Sequence, residues 1–250
     1  MPPLCLHLGV AVDAAERLSR PEVAENLGSY LFGASLPDIY IAITASREET
    51  HFIDLEDEPM ESGAEGLFRT YPHLARSSEL APSLQALVAG YLCHLVTDQV
   101  WVRDIYRPLF SSTSPLGTDP LANFLDRVLQ FELDRRERER SSAMGLVRRE
   151  LMRLDWNSGF DFMGAGVFKQ WHEFVDIAAA REPSWGTFPA FTQRFLVPRG
   201  IIGPEQLEEV MASLPSHLER LLSYVSQERI DAFRGEAVNS AVAAGKEYLG

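Results

Sequence analysis

Between residues 6 and 19, apolar positions recur with a helical period. His7, Val10, Ala11, Ala14 and Leu18 share one stripe, and Asp13, Glu16, Arg17 and Arg20 face away from it. Pro21 suits the first turn of a second helix, which the pattern carries to near Gly33. In ASLPDIYIAITASREETHF, Pro37 biases Leu36 toward an extended conformation, which predicts a structured loop with a short extended piece at IYIAIT. The acidic run DLEDEPMES reads as a solvated loop, and residues 64–76 as a short helix. Pro82 then opens a long helix that should run to about Arg107 and stop before Pro108. Its apolar residues (Leu84, Leu87, Val88, Tyr91, Leu92, Leu95, Val96, Val100) point nearly all round, so it belongs among other helices.

Past the loop SSTSPLGTDP, residues 120–140 place Leu121, Phe124, Leu125, Val128, Leu129 and Phe131 inward. The end of that segment, ELDRRERER, alternates acids with arginines and reads as a solvated helix end. Further helices are expected at 143–155, 163–181, 204–213 and 215–230, broken at Asn157-Ser-Gly, Glu182-Pro-Ser-Trp-Gly and Pro198-Arg-Gly. Strand signals are scarce. The expected fold class is all-α.

The 250 residues are 46% hydrophobic and 24% charged, ordinary for a folded globular chain long enough to bury a core. A net charge of -13 is the wrong balance for a phosphate-backbone binder, so nucleic acid is not an expected partner. Two cysteines, Cys5 and Cys93, supply neither a disulfide framework nor a thiolate zinc ribbon. The first residues lack a basic lead, and Asp13 interrupts their apolar stretch, so they read as neither a secretory signal nor a membrane span. The expectation is a soluble cytoplasmic protein without stable membrane insertion.

Candidate chemistry concentrates in the long apolar helix. In GYLCHLVTDQVW, His94 and Asp98 are four apart and project from one face, with Leu87, Tyr91 and Trp101 on roughly the same side. A buried ionisable pair costs on the order of several kcal/mol per charge unless it is compensated. A metal ion would compensate it; so would a plain His–Asp hydrogen bond tying two helices together, and the pair alone does not choose between them. His7 adds an imidazole on the apolar stripe of the first helix, where a satisfied core histidine is the competing reading. Asp38 follows Pro37 in a turn of small residues, and His51 sits in REETHF beside Phe52 and Ile53. Three histidines and two aspartates, each in apolar surroundings, form a donor set that nitrogen/oxygen-binding metals favour.

FGASLPDIYIAITASREETHF followed by ALVAGYLCHLVTDQVW resembles the zinc-dependent phospholipase C family and its nuclease relatives, in the compact bacterial members. The matching positions are His7, Pro37-Asp38-Ile39, Thr50-His51-Phe52, Gly90-Tyr91-Leu92, His94, Asp98 and Trp101, and the resemblance covers about residues 5–108. It implies one helical domain over residues 1–250, with a metal-binding core at 5–108 and the helices of 118–250 completing bundle and pocket. Asp38, His51, His94 and Asp98 would hold one zinc ion; His7 would bind a second, bridged by Asp98. Iron or manganese would also suit these donors. Asp38 would orient or deprotonate a water in a metal-dependent hydrolase acting on an anionic small-molecule phosphoester. The alternatives are the same cluster put to non-hydrolytic or biosynthetic chemistry, and a non-catalytic metal-binding protein. Arg47, Glu48, Thr50, Arg103 and Arg107 are candidates to support the ligands or bind substrate, with Glu49 and Thr97 near enough to help; the arginines have Glu49 and Asp104 as competing partners. The family's later His-x-x-x-His element has His172 with Asp176 as its nearest counterpart here, more simply read as a helix-surface pair.

Overall fold

The computed structural model describes residues 2–43, 46–52, 62–154 and 165–250, all of them helix, turn or loop with no strand among them. In chain order the helices are α1 (Leu4–Leu18), α2 (Pro21–Ala24), α3 (Leu27–Gly33), α4 (Glu48–His51), α5 (Gly63–Thr70), α6 (Pro82–Trp101) and α7 (Arg107–Phe110). They continue with α8 (Ala122–Glu139), α9 (Ser141–Leu151), α10 (Ala165–Ala180), α11 (Phe188–Phe191), α12 (Leu207–Ala212), α13 (Leu214–Tyr224) and α14 (Gln227–Leu249). The all-α expectation holds. No helix among the described residues is long and apolar enough to cross a membrane.

Helix α6 is the axis of the fold. Every residue from Ala86 to Leu95 is buried, as its all-round apolar pattern requires, and it packs chiefly on α14 and α3, with α1, α2 and α5 around the rest. The crossing with α3 is a backbone contact. A Cβ on Gly90 would sit 1.9 Å from the Tyr30 carbonyl oxygen, and one on Gly33 would sit 2.0 Å from that of Leu87. Each helix therefore presents a glycine to the other, and the two approach more closely than any side chain permits.

Several local expectations are corrected. Residues 21–33 form two helices, α2 and α3, broken at Glu25 and Asn26. The stretch Leu36–Ala42, expected to hold an extended piece, is 3-10 helix, with Pro37 in its first turn where a missing N–H does no harm. The long helix does not stop before Pro108. A π turn at Val102–Tyr106 lets Arg107 N–H reach the Val102 carbonyl, five residues back, and the chain winds on through Pro108 to Phe110. That looser turn absorbs the bond proline cannot donate. Helix α14, which the pattern reading missed, packs along α6 through Phe233, Ala237, Ala241 and their neighbours, with Phe233 edge-on to Trp101 at 5.3 Å. The DLEDEPMES run and the Asn157-Ser-Gly break lie outside the described residues, apart from Ser62, which caps α5 by accepting from Glu65 N–H.

The segment ELDRRERER is not a solvated end. Glu132, Asp134 and Glu137 are buried; Glu132 pairs with Arg135 and Arg136 of its own helix, and the other two tie α8 to α1 and α14. Asp134 Oδ1 accepts from Cys5 N–H at 3.1 Å, and so satisfies an orphan donor at the α1 N-terminus, where Pro3 offers no side-chain cap. Arg138 closes an ion pair on the same Asp134. Farther along, Asp13 of α1 and Glu137 of α8 share two arginines. Arg140 reaches Asp13 at 2.5 Å and Glu137 at 2.8 Å, and Arg234 of α14 reaches them at 2.6 and 2.7 Å. Burial alone would raise the Asp13 carboxyl, but the two guanidiniums outweigh it and hold the group below its ordinary value.

Two tests follow from these contacts. Gly90→Ala drives a methyl into the Tyr30 carbonyl and should lower stability by roughly 1–3 kcal/mol or more, read as a fall in urea midpoint at unchanged slope; an unchanged midpoint would mean the helices do not cross so closely. Because Asp13 titrates lower in the folded chain than in the unfolded one, its contribution is present above the ordinary carboxylate pKa of about 3.9 and fades as pH falls through the folded value. Asp13→Asn should therefore cost about 1–2 kcal/mol at pH 7, and the gap to wild type should close below about pH 4. A gap independent of pH would assign the loss to packing instead.

Candidate metal centre

Five side chains from four elements meet beside α6: His7 of α1, Asp38 of the 3-10 turn, His51 of α4, and His94 and Asp98 of α6. All five positions singled out in the sequence are brought together. His51 Nε2 lies 3.3 Å from Asp98 Oδ2 and 3.7 Å from Asp38 Oδ1. His94 Nε2 lies 3.3 Å from His51 Nε2, 3.7 Å from Asp98 Oδ2 and 4.0 Å from Asp38 Oδ1. On the other side, His7 Nε2 is 3.3 Å from Asp98 Oδ1, and its ring stacks on that of His94 at 3.6 Å. His7, His51, His94 and Asp98 are essentially inaccessible, whereas the Asp38 side chain keeps 20% exposure and marks the open side.

Backbone placement fixes which ring nitrogens are available. The Gly33–Gly90 crossing brings the Ala34 carbonyl to α6, where His94 Nδ1 donates to it at 2.8 Å. His51 Nδ1 sits 3.1 Å from the Arg47 carbonyl, with the Thr50 hydroxyl at the same distance. A carbonyl only accepts, so both histidines carry their proton on Nδ1 and present a bare Nε2 lone pair to the cluster. Tyr91 of α6 donates its hydroxyl to the Thr50 carbonyl and pins α4 in place. Immediately after His51, Phe52 takes a left-handed conformation (φ 60) that ends α4. Ser35 Oγ donates to the Phe32 carbonyl at 2.7 Å and accepts from Trp171 Nε1 of α10 at 3.1 Å, which steadies the turn leading to Asp38.

The result is a crowd of electron-pair donors. Burial, with His7 beside it, holds His94 well below the ordinary imidazole value, so it stays neutral. Burial alone would raise Asp98; the imidazoles of His94, His51 and His7 reverse the sign and hold it well below the usual carboxylate range. Asp38 is pushed up by burial, an effect that His7 and His51 partly offset and Asp98 reinforces. Both nitrogens of His7 and Asp98 Oδ1 are buried with no hydrogen-bond partner. Two lone pairs 3.3 Å apart among carboxylates are repulsive unless an electrophile lies between them. The donors fit a cation: bonds of about 2.0–2.1 Å in a tetrahedron place ligand atoms roughly 3.3–3.4 Å apart. Two triplets of ligand atoms, His7/His94/Asp98 and Asp38/His51/His94, are each close enough to hold an ion.

The supporting residues sort differently from expectation. Arg47 neither pairs with Glu49 nor waits for substrate: its Nη2 contacts Asp98 Oδ2 at 2.6 Å. Thr50 does support His51. Glu48 is exposed, Glu49 accepts from Ser46 N–H, and Thr97 bonds the Cys93 carbonyl. Arg103 pairs with Asp104 and Glu236, and with Arg107 it lines a separate groove of about 460 Å³ along with Gln99 and Ser240. His172 bonds the Leu151 carbonyl at 3.0 Å and Asp176 pairs with Arg148, and among the described residues the pair belongs to neither group able to hold an ion. Sequence reasoning missed Tyr40, whose ring stands edge-on to His51 at 5.7 Å and whose hydroxyl feels Asp38, Arg47 and Arg199.

Comparison of the chain with protein-family models, with curated proteins and with solved structures found no match.

Neither cysteine takes part. Burial raises both thiols, Cys5 with Asp134 beside it and Cys93 to about 12, and both side chains are inaccessible. At pH 8 the native protein should not react with a thiol reagent over minutes, while urea-unfolded chain titrates two thiols. Fast labelling of the native chain would contradict this packing.

Proposed function

We propose that the cluster is a metal centre and that the protein is a metal-dependent hydrolase acting on an anionic phosphoester. The observation that carries the reading is the pair of imidazole Nε2 lone pairs, each fixed by a backbone carbonyl, converging with two carboxylates beside one accessible edge. The resemblance of the 5–108 region to the zinc-dependent phospholipase C family supports the same assignment.

A divalent cation supplies, when bound, a lowered water pKa of about 7 and neutralisation of charge on a phosphoryl oxygen. His51, His94, Asp98 and Asp38 are the residues that would hold it. The Ala34 and Arg47 carbonyls orient the two imidazoles and raise their basicity, as backbone acceptors do behind metal-binding histidines. Asp38, on the open side, is placed to hold a water and accept its proton at a carboxylate oxygen. Tyr40 beside it carries a phenol that can donate to a substrate oxygen. His7 packs flat on His94 and turns its Nε2 to Asp98 Oδ1 at 3.3 Å. The same nitrogen and carboxylate donors also suit iron or manganese, so a non-hydrolytic metalloenzyme is the second reading.

The test is elemental analysis of protein purified without a histidine tag, then turnover of phosphomonoesters and phosphodiesters. Wild type should carry a transition metal. His94→Ala and Asp98→Asn should lose both the metal and several degrees of Tm, because binding is linked to folding. His172→Ala should keep full metal content. Asp38→Asn should lower turnover by about 100-fold or more. Metal content unchanged in both α6 variants would refute the centre; a coloured iron protein inert toward phosphoesters would favour the second reading.

A further inference from the structure

We infer that the centre takes a single divalent ion and that the Arg47 guanidinium is its second positive charge. This rests on the metal reading given above. The two candidate triplets share His94. Its Nδ1 is committed to the Ala34 carbonyl, so one lone pair remains, at Nε2, and one lone pair serves one ion. If His94 acts with Asp38 and His51, the other side retains His7 Nε2 and Asp98 Oδ1. If it acts with His7 and Asp98, the first side retains Asp38 and His51. Either way, apart from Asp98 Oδ2, which Arg47 already holds at 2.6 Å, a second ion finds two donors of its own, fewer than the three protein ligands that catalytic sites use. Among the described residues, no His, Cys, Asp or Glu beyond these five joins either triplet.

Charge leads to the same count. Asp98 Oδ2, the oxygen nearest His51 and His94, is held at 2.6 Å by Arg47 Nη2, and the Arg47 side chain is only 14% exposed. A guanidinium does not give up its proton, so this charge is permanent. One divalent ion already offsets the two carboxylates. A second would enter a buried site next to Arg47 with no negative charge left to meet it, at a dielectric where like charges repel strongly. Arg47 sits where a second cation would have to neutralise Asp98.

The experiment strips tag-free protein with a chelator, reloads it with excess zinc or manganese, removes loosely held ions by desalting, and counts metal by elemental analysis and native mass spectrometry. One ion per chain is expected. Two tightly held ions overturn this inference and leave the metal reading standing; no ion overturns the metal reading itself. Arg47→Gln should lower the Tm of the stripped protein by roughly 5–10 °C and enlarge the Tm gain on adding metal, since the ion then meets two unpaired carboxylates. Arg47→Lys, which keeps the charge, should stay nearer wild type on both measures. If Arg47→Gln moves neither Tm, the guanidinium is not the compensating charge. If that variant fails to fold, the wild-type count and the lysine variant still decide.

Discussion

Asp98 is a carboxylate with no solvent contact in the middle of a helix that is apolar on every side, and much of the chain around it is arranged to make that tolerable. Unpaired, such a charge costs several kcal/mol. Arg47, from the residue before α4, brings a positive charge to it, and three imidazoles close around it: His94 one turn earlier on the same helix, His7 from α1 and His51 from α4. Only His94 is delivered by local helical structure; the other three require α1 and the α4 region to pack on α6 at a set distance, so the burial of one acid specifies the relative placement of α1, α4 and α6.

The closest of those approaches depends on the smallest residues. Gly33 and Gly90 let α3 and α6 touch backbone to backbone, and only that contact carries the Ala34 carbonyl within hydrogen-bonding range of His94 Nδ1. A packing feature thus becomes a tautomer, and the tautomer decides which nitrogen faces the acids. Tyr91, one turn before His94 on α6, does the equivalent for His51 by holding the Thr50 carbonyl. Ligand geometry and core packing are therefore one structure seen at two scales, as expected where a site is built on helices and not on free loops.

What could be read from the chain divides along the same line. The donors themselves were legible, because an ionisable residue in an apolar run is conspicuous and the i, i+4 spacing of His94 and Asp98 gives a direction. The carbonyls of Ala34 and Arg47 were not, since every residue has one and only tertiary placement selects among them. Helix α14 was missed because much of its buried face between Phe233 and Tyr248 is made of Ala237, Ala241 and Gly245, residues too small to stand out from a polar background. ELDRRERER was misread because local charge alternation says nothing of Asp13 and Arg234, each about a hundred residues or more away in sequence, which draw it into the interior. IYIAIT has the β-branched content of a strand, yet there is no partner strand among the described residues, and its first four residues, Ile39 to Ala42, wind into the 3-10 helix that follows Ser35, while Thr44 lies outside the described residues.

Helix α1 connects the two polar systems of the interior. His7 reaches the His/Asp cluster, while Gly9, whose missing Cβ leaves room for the Glu137 carboxylate and whose carbonyl accepts from Arg140 and Arg234, and Asp13 belong to the arginine network. Since His7 and Asp13 lie less than two helical turns apart, α1 cannot shift to suit one set without straining the other. An ion held by the cluster would therefore stiffen the contacts of α1 with α8 and α14 far from the ion itself. The open edge at Asp38 lies on the opposite account: it belongs to a short 3-10 turn steadied by Ser35 and Trp171, outside that double clamp. The buried side of the site orients the donors, and the partly exposed edge at Asp38 is the one through which a ligand would enter.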